Sequence, residues 1–258
     1  MTIAATERGT RRGAAFGLLI WTELKLAWRN PVSLIFGLGL PVLLLVIFGS
    51  IPATTKATKE FGGVSFFNVY VPTLMVLVLM VLGLLGLPGP LATYREQGVL
   101  RRMSTTPVPP SWLLTAQLAV NLLLAVLGVA LVLGVGAGAL GLVLPRQPGG
   151  FLLSLVLTAG ALFGMGLFAA AVARTAQLAT GIGMALFYPL AFLGGVYFPL
   201  AGMPATVRDI AEATPTGAAV QALNASLDGR FPGAGDLLVL AAWALVSAIA
   251  AVRMFRWE

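Results

Sequence analysis

VYVPTLMVLVLMVLGLLGLPGPL, residues 69–91, runs for 23 positions without an Asp, Glu, Lys or Arg. The hydrocarbon core of a bilayer is about 30 Å thick and takes about 20 apolar residues of helix. This stretch is long enough to cross it. Five others share its character, at 32–51, 112–144, 150–173, 176–199 and 237–252, and none holds a charged side chain. The sequence therefore predicts an all-α integral membrane protein with about six transmembrane helices. Residues 1–31 read as a tail and interfacial helix, 32–252 as the transmembrane domain, and 253–258 as a second tail. The third stretch exceeds a straight crossing and is expected to tilt or to begin outside the bilayer.

Composition agrees. Of 258 residues, 59% are hydrophobic and 10% charged, and mean hydropathy is +0.96. A soluble domain carries about 25% charged residues, so the solvent for most of this chain is lipid. Cysteine and histidine are both absent, which excludes disulfides, thiolate metal sites, thiol nucleophiles and histidine general bases. No metal site is expected. The net charge of +7 reads as orientation and lipid contact. No basic, aromatic-interleaved groove for nucleic acid is visible.

Lysine and arginine set the orientation. With the N-terminus in the cytoplasm, 11 of them lie inside (Arg8, Arg11, Arg12, Lys25, Arg29, Arg95, Arg101, Arg102, Arg174, Arg253 and Arg256). Five lie outside: Lys56, Lys59, Arg146, Arg208 and Arg230. Both termini are thus expected in the cytoplasm. The N-terminal apolar run Ala14–Trp21 is followed by Glu23, Lys25 and Arg29 rather than a cleavage site, so it is not read as a signal peptide. Trp21, Leu24 and Trp28 fall at i, i+3 and i+7, with Thr22, Lys25 and Arg29 on another face. That pattern suits a helix lying in the membrane interface, with indoles at headgroup depth. Asn30-Pro31 is a natural place for the chain to turn into the bilayer.

Two connecting segments carry more information. The cytoplasmic one is Tyr94-Arg95-Glu96-Gln97-Gly98-Val99-Leu100-Arg101-Arg102-Met103, followed by Ser104-Thr105-Thr106-Pro107-Val108-Pro109-Pro110. It reads as a short helix with an apolar patch of Val99, Leu100 and Met103, stopped by the prolines. The external one lies between the last two spans. Met203, Val207 and Ile210 stripe one face. Thr214-Pro215 reads as an N-cap with proline at the first helical position, and Thr216, Val220, Leu223 and Leu227 make a second stripe. Two short amphipathic helices on the outer surface, partly re-entrant, are expected.

Some chemistry is missing. No Gly-x-x-x-x-Gly-Lys-[Ser/Thr] occurs, so the chain has no visible phosphate-cradling loop for ATP. The spans contain no carboxylate, histidine or arginine to bind or relay a coupling ion. A transporter built this way takes its energy from a partner. The sparse polar residues within the spans are Thr73, Gln117, Asn121, Thr158, Gln177 and Thr180. Gln117 and Asn121, at i,i+4, read either as interhelical glue or, with Gln177, as polar points in a substrate path. Gly134-x-x-x-Gly138 and Gly160-x-x-x-Gly164 read as packing motifs.

Arg95-Glu96-Gln97-Gly98-Val99-Leu100-Arg101-Arg102-Met103, then Thr105-Thr106-Pro107, resembles the cytoplasmic loop of ABC-2-type transporter permeases, including the daunorubicin-resistance-like drug exporters. Gly194-Gly195-Val196-Tyr197-Phe198-Pro199-Leu200, Met203-Pro204, Ile210-Ala211 and Thr214-Pro215 are similar to that family's motif before the last span. The N-terminal helix matches its elbow helix, which assigns Trp21, Glu23, Lys25, Trp28 and Arg29 to that element. Met103 stands where the family more often has leucine.

The resemblance implies a permease subunit of an ATP-driven exporter in a bacterial plasma membrane. It implies two permease copies, identical or related, paired with two ATPase subunits that hold the ATP and Mg. No cofactor is expected on this chain, and an amphiphilic drug, antibiotic or lipid-like substrate is. Tyr94, Arg95, Glu96, Gly98, Leu100, Arg101, Arg102 and Met103 would then couple to the ATPase, with Glu96 and the arginines in polar contact and Leu100 and Met103 in an apolar groove. An ion-coupled secondary transporter and an intramembrane enzyme are the alternatives. The empty spans weigh against the first, and the missing His, Cys and buried carboxylates against the second.

Overall fold

The computed structural model describes residues 3–29, 34–58, 63–103, 109 and 111–254, with the backbone alone given at 3–15, 100, 101 and 201. Asn30-Pro31, Lys59, Ser104–Val108 with Pro107, Pro110 and the tail with Arg256 lie outside the described residues. Among the described residues, every named element of the chain is helical. Its elements are α1 (Ile3–Trp28), α2 (Ile35–Ser50), α3 (Phe66–Glu96), α4 (Val99–Met103) and α5 (Ser111–Ala139). These are followed by α6 (Pro148–Val172), α7 (Ala176–Leu193), α8 (Ala205–Glu212), α9 (Pro215–Leu227) and α10 (Ala234–Met254). One helical turn, Pro52–Thr55, follows α2.

Among the described residues, five helices, α3, α5, α6, α7 and α10, are long and apolar enough to cross a membrane. The expected first span is represented there by α2, whose 5 π-helical and 11 α-helical residues cover roughly 24 Å at ~1.5 Å per residue. The helices alternate in direction. Near the start of α3, Tyr70 donates its hydroxyl to the Val196 carbonyl just beyond α7, at 2.6 Å. The Gln147 amide before α6 donates to the Ser226 carbonyl of α9, at 3.1 Å. The opposite end gathers the ends of α3 and α6 and the start of α7. Arg95 Nη1 donates to the Ala171 carbonyl at 3.3 Å, and Glu96 Oε2 accepts from the Ala176 amide at 3.0 Å.

The reading that opened on residues 69–91 locates the core. From Tyr70 to Leu84 every side chain of α3 is buried, as expected of a helix apolar on all sides. Pro88 and Pro90 have no N–H to give, so carbonyls one turn earlier lose their α-helical partners. The helix relaxes there into a π-helical stretch, Val81–Gly86. α6 and α7 close on that stretch through glycines. A Cβ on Gly166 would overlap the Gly83 carbonyl oxygen, and one on Gly183 the Leu84 carbonyl oxygen.

Several boundaries differ from the sequence expectation. The third span stops at Ala139 rather than residue 144, because Gly141 takes φ +71° and the Leu142 amide folds back to the Gly136 carbonyl at 2.9 Å. The fifth stops at Leu193 rather than residue 199, where Gly195 takes φ +80° and the Val196 amide bonds the Ala191 carbonyl at 3.0 Å. α3 runs on to Glu96, so the connecting segment begins inside a helix. Of the two glycine motifs, Gly160 and Gly164 pack on Ala244 and Ser247 of α10, whereas Gly134 and Gly138 meet nothing within 4 Å. Both short helices expected between the last two spans form, but α9 is no surface helix. Pro215 through Val220 are all buried, and Thr216 donates to the Leu190 carbonyl at 2.9 Å.

Candidate functional site

Phe16, Ile20, Glu23 and Ala27 of α1 are spaced at i, i+4, i+7 and i+11, so they share one helix face. Ile20 and Ala27 pack against the core, and the Phe16 ring meets Trp112 of α5 edge-on at 5.5 Å. Trp21 and Trp28 are 65% and 69% exposed, and Lys25 and Arg29 are exposed too. The interfacial reading of α1 suits those four. Glu23 departs from it, being 4% exposed and turned into the bundle.

Two groups meet at its carboxylate. The Tyr94 hydroxyl donates to Oε1 at 2.9 Å and lies 3.2 Å from Oε2. Gln117 Nε2 donates to Oε2. Asn121 Nδ2 in turn donates to the Gln117 carbonyl at 2.9 Å. Burial pushes the Glu23 carboxyl above the usual carboxylate range, opposed by the donations from Tyr94 and Gln117. The sequence reading, which counted no buried carboxylate, is corrected here. Its premise holds for the spans and fails at the α1 end.

This cluster forms one wall of a cavity of about 520 Å³ between α1, α3, α5 and α7. All three residues expected along a substrate path, Gln117, Asn121 and Gln177, line it. Gln117 and Asn121 approach from α5, and Gln177 from the first turn of α7. That turn is held by Thr175, whose hydroxyl accepts from the Leu178 amide at 3.2 Å. A second cavity, about 640 Å³, opens at the other end of the bundle among Arg208, Glu212, Arg230 and Asp236. It carries charges of both signs, unlike the first.

The segment leaving the first cavity is compact. The Gln97 amide bonds the Thr93 carbonyl and the Gly98 amide the Arg95 carbonyl, both at 2.9 Å. Gly98, at φ +66°, reverses the chain into α4. Several residues expected to face a partner have internal ones. Tyr94 bonds Glu23, Arg95 the Ala171 carbonyl, and Glu96 the Ala176 amide. Arg102 Nη2 donates to the Gln97 carbonyl at 3.0 Å. Glu96 remains exposed, and Val99 and Met103 are half-buried. The same end gathers Arg95, Arg174 and Arg253 around an open cleft.

The family model of the ABC-2 type transporter matches residues 14–227, from within α1 to the last residue of α9. No curated protein matches the chain. The match takes in the cavity, the compact segment and the buried α9, and it covers most of the sequence. A mainly helical bundle with apolar membrane-length helices, matched over that range, makes the chain a membrane transport subunit that belongs to the ABC-2 type transporter family.

Proposed function

We propose that the chain is the permease subunit of an ATP-driven exporter in a bacterial plasma membrane. Two copies, identical or related, form the path for an amphiphilic substrate, and a separate ATPase subunit docks on the Gln97–Met103 turn and α4. One observation carries this reading. The cavity that holds Gln117, Asn121 and Gln177 is walled by the last turns of α3, the helix that runs directly into α4. A push on α4 would move the cavity wall, because only Gln97 and Gly98 separate the two helices.

The test is reconstitution into liposomes with and without a candidate partner ATPase. The chain alone should hydrolyse no ATP, since it has no phosphate-cradling loop. ATP-driven tracer movement should appear only with the partner. Turnover by the chain alone, or gradient-driven transport without a partner, overturns the assignment.

In this reading the α1 end is cytoplasmic, as the arginines there favour. The chain has no cysteine, so single ones report cleanly. Ala57→Cys and Asp228→Cys, both at exposed positions, should react with an impermeant thiol reagent on intact cells, and Gln97→Cys only after permeabilisation. Gln97 is exposed and avoids the strained backbone of Gly98. Labelling of residue 97 alone on intact cells reverses the orientation.

A further inference from the structure

We propose that the cavity at the α1 end selects an organic monocation, an amphiphile whose positive group sits against Glu23 and whose apolar body lies along Leu26 and Leu124. The inference deepens the permease reading and rests on it for its biological use.

Its basis is an incomplete set of partners. A carboxylate offers about four lone-pair positions. Around Glu23, the single hydroxyl hydrogen of Tyr94 is shared between both oxygens, and Gln117 supplies one more donor. Both donors are neutral. Among the described residues, no Lys or Arg lines the cavity, and its other titratable group is Tyr94. Arg95, next to Tyr94 in sequence, is turned away to the Ala171 carbonyl. Lys25 and Arg29, on the same helix as Glu23, are exposed and do not line the cavity.

A buried negative charge held only by dipoles attracts a cation strongly, because the surrounding dielectric is low. Leu26, Leu124, Gly86 and Pro90 supply apolar wall, and a space of about 520 Å³ is of drug size. An anion would be repelled by the carboxylate, and a neutral molecule would gain a hydrogen bond from it at most. The opposite cavity carries Arg208 and Arg230 beside Glu212 and Asp236, so charge preference should be confined to the α1 end.

Three probes of similar shape test this on the purified full chain in neutral-lipid nanodiscs: tetraphenylphosphonium, tetraphenylborate and triphenylphosphine oxide. The cation should bind saturably and about tenfold or more tighter than the other two. That preference should weaken as the pH is lowered, because the raised Glu23 carboxyl takes up its proton and becomes neutral. Glu23→Gln should weaken the cation about tenfold and leave the neutral probe within about twofold. Ala27→Trp, which fills the cavity, should weaken the cation and the neutral probe together. Equal affinity for all three probes, a Glu23→Gln loss common to all of them, or cation binding unaffected by Ala27→Trp overturns the inference. Should Glu23→Gln fail to fold, the wild-type charge and pH comparisons still decide. None of these failures touches the permease reading, which stands or falls on partner-dependent transport.

Discussion

Gly166→Leu should prevent the bundle from closing. The α-carbon of Gly166 faces the Gly83 carbonyl in the π-helical stretch of α3, and even a Cβ there would overlap the oxygen. A flexible side chain could swing aside, but a backbone carbonyl at the centre of the most buried helix has nowhere to go. Overpacking usually costs about 1–3 kcal/mol where side chains can adjust, so Gly166→Ala should cost ~3 kcal/mol and Gly166→Leu more. Gly134→Ala is the control. It has nothing within 4 Å, and an alanine in a helix is about 0.5–1 kcal/mol better than glycine. Thermal unfolding in detergent should therefore rank Gly134→Ala at or above wild type, Gly166→Ala well below it, and Gly166→Leu as unfolded or aggregated. A Gly166→Leu chain as stable as wild type would refute the contact between α6 and α3.

Replacing residues 97–103 by a flexible Gly-Ser linker of equal length should abolish ATP-driven transport while leaving membrane insertion intact. A random linker transmits no displacement from a docked ATPase to α3, whereas the two-residue turn at Gln97 and Gly98 does. Glu96 then separates two mechanisms. Its carboxylate accepts from the Ala176 amide at the start of α7, a helix-capping bond whose loss costs about 1 kcal/mol. Glutamine can still accept that bond but carries no charge. If Glu96 acts by joining α3 to α7, Glu96→Gln transports like wild type and Glu96→Ala is several-fold slower. If its charge docks the ATPase, Glu96→Gln fails as fully as Glu96→Ala. The bond to Ala176 leads us to expect the first result. Linker-substituted protein that still transports at the wild-type rate would remove α4 from the coupling route.

Much of the site was legible beforehand. Gln117, Asn121 and Gln177 stood out because amides are rare inside apolar spans, and all three line one cavity. Glu23 was missed for a specific reason. The indoles of Trp21 and Trp28 draw the eye to one face of α1, yet both are exposed. The packed face runs through Phe16, Ile20 and Ala27, and Glu23 sits in that stripe as its one carboxylate. Tracing the second stripe would have found it. Tyr94 and Glu96 were read as partner contacts through the family resemblance of the loop. α3 in fact runs on to Glu96, and its last turn spends those side chains on α1 and α7.

Composition and hydropathy were sufficient for the solvent, the helical class and the approximate places of the crossings. Those properties depend on one physical quantity, the free energy of moving a segment from water into hydrocarbon, which is additive along the chain. The resemblance of the loop and of the Gly194–Pro215 region was equally local, and it pointed to the family that the match over residues 14–227 shows. Tertiary structure alone decided the rest. Where a helix ends depends on a backbone that folds back, as at Gly141 and Gly195. Which glycines matter depends on what faces them, Gly83 for Gly166 and nothing for Gly134. Whether a carboxylate is a surface charge or a buried anion depends on partners 71 and 94 residues away, Tyr94 and Gln117. The stripe through Phe16, Ile20 and Ala27 marks the face that packs, but the groups that meet Glu23 on it come together only when α1, α3 and α5 pack.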